Sequence, residues 1–280
     1  MKRINFTALL LSFIMLICCT ACSSTESVNP GNDGVTADEQ MELIVFAAAS
    51  LTETLTELGE MYMQENENIR LVFNFDSSGT LKTQIQEGAE CDIFISAGQQ
   101  QMNELDVAAD DGGLDMVLDG TRFDILENKI ALVVPDGNPA GINTYAELVD
   151  ALNAARIMLA IGNSDVPAGQ YTLKIFEYFG LNEAELANAG SITYGSNVKE
   201  IATQISESVV DCGIIYQTDA FSAGLTVVDT ASAEMCGQVI YPAAVMKNSD
   251  TVNEAKAFLD YIMSDTADEV FSRVGFTPAE

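Results

Sequence analysis

Apolar residues recur along this chain in two alternating spacings. Short continuous runs read as buried strands at 43–46, 69–75, 91–95, 128–134, 157–161, 192–194, 212–216, 226–228 and 239–245. Between them the spacing stretches to three and four residues, which predicts helices. The first covers 51–64, with Leu51, Leu55, Leu58 and Tyr62 on one face. Others follow at 81–87, 99–105, 145–152, 170–179, 181–189, 198–207, 218–223, 253–263 and 267–274. Strand and helix alternate, which predicts an α/β fold of mostly parallel sheets with helices on both faces. The alternation restarts after Pro135. We therefore expect two lobes, 41–134 rejoined by 238–280, and 135–237. Two crossing strands, near 128–136 and 226–242, would link them. In such sheets ligands bind beyond the carboxyl ends of the strands, so a cleft between the lobes is the expected site.

The first residues follow a different pattern. Met1, Lys2 and Arg3 form a basic start, 6–17 is apolar, and Cys19–Thr20–Ala21–Cys22 leads into a polar, small-residue stretch. This reads as an export signal over 1–22, too short for a permanent membrane span, with 23–40 as a flexible tether. Thr20–Ala21–Cys22 resembles a bacterial lipobox, although Cys19 stands where that pattern usually has an aliphatic residue. The resemblance implies that Cys22 carries lipid and holds the protein on the outer face of the cytoplasmic membrane. A plain secreted protein cleaved after Ala21 is the alternative.

Charge narrows the partners. The net charge is −30, and removing Lys2 and Arg3 with the signal takes it to −32. Such a surface argues against nucleic acid as a partner. Any anion must bind through short-range donors that win against this field. Beyond Cys22 the chain has Cys91, Cys212 and Cys236, so at most one internal disulfide, with Cys212–Cys236 left open. The sequence has no histidine, which excludes His-based general-base catalysis, and Cys91, Cys212 and Cys236 form no CxxC pair for zinc.

Four strand-to-helix junctions carry the candidate chemistry. Ser50 stands where a helix N-cap belongs, with Glu53 completing a capping box. Ser77 and Ser78 open the next helix. Asp165 and Pro167 open one in the second lobe, with proline in the first turn. Ser196 and Asn197 open another, again with a box partner, Glu200. Each start offers free N–H groups and the positive end of a helix dipole. Two come from each lobe. If they converge, they form a pocket of neutral donors suited to a small oxyanion; otherwise they are four ordinary caps. An all-donor site favours unprotonated dianions such as molybdate, tungstate and sulfate over phosphate, which keeps a proton at neutral pH.

Eight stretches then match one family in order: Phe46–Ala47–Ala48–Ala49–Ser50–Leu51–Thr52, 77–81, 91–97, 166–171, Asn197–Val198, 213–216 with Asp219–Ala220, 241–245 and 275–277. The chain resembles the periplasmic molybdate-binding proteins, receptors of molybdate ABC importers. The resemblance implies a two-lobed periplasmic binding protein of type II. It implies that Ser50 and Ser78 hold the oxyanion through hydroxyl and N–H, Ala168 and Val198 through backbone N–H, and Tyr216 through its hydroxyl. Gly79 departs from members with a further serine there. The implied function is capture of molybdate and tungstate for an ABC transporter permease, as a monomer, without cofactor or catalysis. A receptor for sulfate or another small oxyanion competes with it. A serine hydrolase using Ser50 or Ser78 fits poorly, because neither Gly-x-Ser-x-Gly nor Ser-x-x-Lys surrounds Ser50 and Lys82 lies four residues after Ser78, not three.

Overall fold

The computed structural model describes residues 40–110 and 112–279. The export signal 1–22 with Cys22, and the tether 23–40 apart from Gln40, lie outside the described residues. The strands are β1 (Met41–Ala48), β2 (Ile69–Asp76), β3 (Ile93–Ile95), β4 (Phe123–Asn128), β5 (Ile130–Val134), β6 (Leu159–Gly162), β7 (Ile192–Gly195), β8 (Cys212–Tyr216), β9 (Thr226–Thr230), β10 (Val239–Val245) and β11 (Thr277–Pro278). The helices are α1 (Thr52–Glu65), α2 (Ser78–Gln86), α3 (Gln99–Leu105), α4 (Tyr145–Asn153), α5 (Pro167–Phe179), α6 (Glu183–Asn188), α7 (Val198–Ser206), α8 (Gln217–Ser222), α9 (Ala233–Cys236), α10 (Val252–Ile262) and α11 (Asp265–Val274).

Two sheets organise these elements, in strand orders β11-β4-β10-β3-β1-β2 and β7-β6-β8-β5-β9. Both are mixed. The strands made by βα units run parallel: β2, β1 and β3 in one sheet, β7, β6 and β8 in the other. Strands β10, β4 and β11, and likewise β5 and β9, pair antiparallel. The expectation of mostly parallel sheets thus holds for only part of each. The chain leaves a lobe and returns to it through β4, β5, β9 and β10, and these strands do not inherit the βα direction.

The lobe boundary also moves. Strand β4 pairs in the first sheet and β5 in the second, so the chain changes sheets at Lys129 rather than at Pro135. Residues 130–134 are wholly buried and read as one run with Asn128. Only Ile125, Leu126 and Asn128 of β4 are buried, which hides that strand from the hydrophobic pattern. The return crossing runs from β9 through α9 to β10.

Packing holds the strand ends in place. Leu43 and Val45 of β1 and Leu55 and Leu58 of α1 are fully buried. Each such side chain contributes about 1.5–3 kcal/mol. Phe258 and Phe271, on α10 and α11, join Phe276 in the core of the first lobe, where Phe276 meets the Tyr241 ring edge-on at 5.3 Å. Cys91, Cys212 and Cys236 are buried and free, so the Cys212–Cys236 pairing is not formed. Burial pushes the Cys212 thiol up to about 12, which leaves it inert at neutral pH.

Candidate functional site

The carboxyl ends of β1, β2, β6 and β7 each run into a helix start, and all four starts face the cleft. After β1 the chain makes one 3-10 turn, Ala49–Leu51, before α1. Ser50 therefore lies two residues ahead of α1, and the expected capping box does not form. Its Oγ turns inward to the Tyr241 hydroxyl at 2.9 Å. Glu53 instead reaches the other lobe, where Lys199 donates to both of its carboxylate oxygens at 2.7 and 2.8 Å.

After β2, Ser77 is the N-cap and accepts the Thr80 N–H at 3.1 Å. Ser78 becomes the first residue of α2. Its Oγ accepts the Ala97 N–H at 2.9 Å, so its own proton remains to be donated. In the second lobe α5 starts at Pro167, with Val166 rather than Asp165 as its cap. Asp165 instead accepts the Gly79 N–H on its backbone carbonyl at 2.9 Å, across the cleft. Asn197 caps α7 and accepts the Glu200 N–H at 3.0 Å. Glu200 returns to the Ser196 N–H and hydroxyl, at 2.7 and 2.8 Å, not to Asn197 as a capping box requires.

These starts enclose one cavity. Ser50, Ser77, Ser78, Ala97, Val166, Pro167, Val198 and Tyr216 line it, with Ala48, Ala49 and Asp76. Ser50, Ser78, Val198 and Tyr216 are thus brought together as expected. Ala168 does not line the cavity; it is wholly buried, one residue beyond Pro167. As the second residue of α5 its N–H still has no acceptor within the helix. None of the lining residues is lysine or arginine. The single charged one, Asp76, is engaged: its Oδ1 accepts the Ser77 N–H at 2.7 Å and faces the Asn197 side-chain amide at 3.4 Å. The enclosed space is only ≈ 10 Å³, about what the centre of one water occupies. A wider depression, ≈ 540 Å³, lies against α4 among Glu147, Asp150, Arg156 and Asp211, apart from all four helix starts.

Tyr216 is fully buried at the end of β8. It donates its hydroxyl proton to the Ala97 carbonyl at 3.0 Å, joining the lobes. A phenol has one proton, so a ligand oxygen must compete with this carbonyl for it. Burial holds the Tyr216 and Tyr241 hydroxyls well above the ordinary tyrosine range, so both stay protonated.

Sequence reasoning missed several residues here. Tyr241 stood inside a matched motif without a role. Asn128, a buried amide at the end of an apolar run, donates to both Tyr241 and Thr218. Asp219, completely buried on α8, has Lys199 Nζ 3.4 Å from Oδ1 and no well-aligned hydrogen bond to either oxygen. Burial pushes its carboxyl up to about 7 despite the Lys199 charge, and Glu53 adds to the rise.

Two α/β lobes joined by two crossings, with helix starts from both converging on one buried cavity, define a two-lobed solute-binding protein. The family of bacterial extracellular solute-binding proteins matches residues 43–277, and the chain belongs to it. It is 32% identical to the molybdate-binding protein ModA of Escherichia coli, over 86% of this chain and 90% of that protein. It is 30% identical to YvgL of Bacillus subtilis, named as a candidate ABC transporter substrate-binding lipoprotein, over 97% of this chain and 96% of YvgL. The periplasmic molybdate-binding protein of Azotobacter vinelandii shares the fold, with a TM-score of 0.72 and 20% identity, over 85% of this chain and 100% of that one.

Proposed function

We propose that this protein captures molybdate, and equally tungstate, between its lobes and passes it to the permease of an ABC transporter. The observation that carries this reading is the convergence of helix starts from both lobes on a cavity with no basic residue. Neutral donors wrapped around a small dianion supply the attraction there, with helix dipoles adding to it. Ser50, Ser78 and Val198 line the cavity, Ala168 adds an N–H behind Pro167, and Tyr216 closes the far side. The likeness to ModA of Escherichia coli supports molybdate as the ion.

The cycle is capture without chemistry or cofactor. An open cleft takes the ion on one lobe, the other lobe swings in about Lys129, and the closed form docks on the permease. The protein acts as an exported monomer, held at the outer face of the cytoplasmic membrane by lipid on Cys22. The likeness to YvgL, whose name includes lipoprotein, supports the anchor.

Calorimetric titration with molybdate, tungstate, sulfate and phosphate tests the assignment. Molybdate and tungstate should bind alike, with sulfate and phosphate far weaker; sulfate binding as tightly as molybdate would make this a sulfate receptor. Ser50→Ala and Ser78→Ala should each cost about 1.5–3 kcal/mol, roughly ten- to a hundredfold in molybdate affinity. Unchanged affinity in both would place the site elsewhere.

A further inference from the structure

Asn128 ends β4, at the point where the chain leaves the first lobe. Its side-chain oxygen accepts the N–H of Lys129 at 2.8 Å. That bond fixes the amide, because the flipped form would set two N–H donors against each other. Its NH₂ group then donates to Thr218 Oγ1 at 2.8 Å and to Tyr241 Oη at 3.1 Å. Tyr241 Oη accepts from Asn128, and Ser50 Oγ, 2.9 Å away, is the acceptor within reach of its own proton. Ser50 has then accepted a proton from behind, and its own hydroxyl proton is left for the cavity. Tyr241 is wholly buried, with the rings of Tyr216 and Phe276 edge-on at 5.6 and 5.3 Å, so bulk solvent does not compete for its proton.

We infer that Asn128 and Tyr241 are positioning residues that hold the Ser50 hydroxyl as a donor, and so make the cavity reject oxyanions that still carry a proton. The inference rests on reading the cavity as an oxyanion site. Ser78 is set the same way by the Ala97 N–H. Molybdate, tungstate and sulfate bring only acceptors at neutral pH. Hydrogen phosphate brings a P–O–H that needs an acceptor, and against Ser50 it meets another O–H donor. The one carboxylate on the lining, Asp76, spends its Oδ1 on the Ser77 N–H, so an acceptor for that proton has to come from its Oδ2 and not from Ser50.

Tyr241→Phe keeps the ring and removes the hydroxyl that points Ser50 outward, so Ser50 can turn and accept. Asn128→Asp replaces the donor behind Tyr241 with an acceptor, which draws the Tyr241 proton away from Ser50. The exported protein and both variants, each checked for native melting, are titrated with molybdate, sulfate and hydrogen phosphate at neutral pH. Phosphate should gain on molybdate by about tenfold or more in the variants, while the molybdate-to-sulfate ratio stays within about twofold. A uniform loss of affinity for all three anions, in whichever variant folds, reduces the pair to structural support and overturns the inference. A parent protein that binds none of the three overturns the oxyanion reading, and the inference with it.

Discussion

Gly79→Ala should weaken molybdate binding by roughly tenfold to over a hundredfold and leave the melting of the free protein nearly unchanged. A Cβ at Gly79 would lie 2.2 Å from the carbonyl oxygen of Asp165 and 2.7 Å from its Cα. These are backbone atoms of the opposite lobe, which no rotamer change can move aside. Gly79 is the second residue of α2, where alanine is a better helix former than glycine. The substitution therefore costs nothing within its own lobe. All the strain falls on the approach of the lobes, where the Gly79 N–H now meets the Asp165 carbonyl at 2.9 Å. Overpacking of this kind costs about 1–3 kcal/mol. Gly79→Val should do worse. Calorimetry with parallel thermal melts separates binding from folding, and an unchanged affinity would show that capture needs no such close approach. Gly79, which from sequence only removes a hydroxyl, is thus a place where the backbones of the two lobes touch.

Asp219→Asn should raise the stability of the protein at pH 8 by about 2–4 kcal/mol, seen as several degrees in the melting temperature. The carboxyl is completely buried, and burial lifts it from its ordinary 3.8 to about 7, with Lys199 opposing and Glu53 assisting. The sign follows from which state releases its proton first. Below pH 4 both folded and unfolded chains hold it, and Asp219 contributes no pH dependence. As pH rises from about 4 to about 7, the unfolded chain ionises while the folded one resists, so stability falls. Above about 7 the loss is complete. The gap between 3.8 and 7 sets an upper bound of about 4 kcal/mol. Asparagine abolishes this slope and leaves Lys199 to Glu53. Thermal melts of both proteins between pH 4 and pH 8 provide the check. Equal slopes, or a variant less stable at pH 8, would mean that Lys199 compensates the buried charge in full.

Much of this arrangement is legible in the residues themselves. Ser77 and Asn197 cap their helices as their side chains suggest, because N-capping is a local matter of one oxygen and one N–H. Proline at the first position of α5 marks that start equally well. The Ser50 reading fails where a single extra turn intervenes, and no spacing in the sequence announces it. The lobe boundary fails for a related reason: Asn128 and Ile130 stand one residue apart in one apolar run yet belong to different sheets. Contacts made at long range are hidden altogether. Tyr241 lies 191 residues from Ser50, and Lys199 lies 146 from Glu53. Polar residues of these types occur throughout the chain, and only the fold decides which pairs meet.

The three buried thiols bear on how the protein matures outside the cell membrane. Cys91, Cys212 and Cys236 are free and shielded. Among the described residues nothing in the fold depends on an oxidant. Over those residues the fold draws its stability from its apolar cores in place of cross-links, so reduction leaves it nothing to lose.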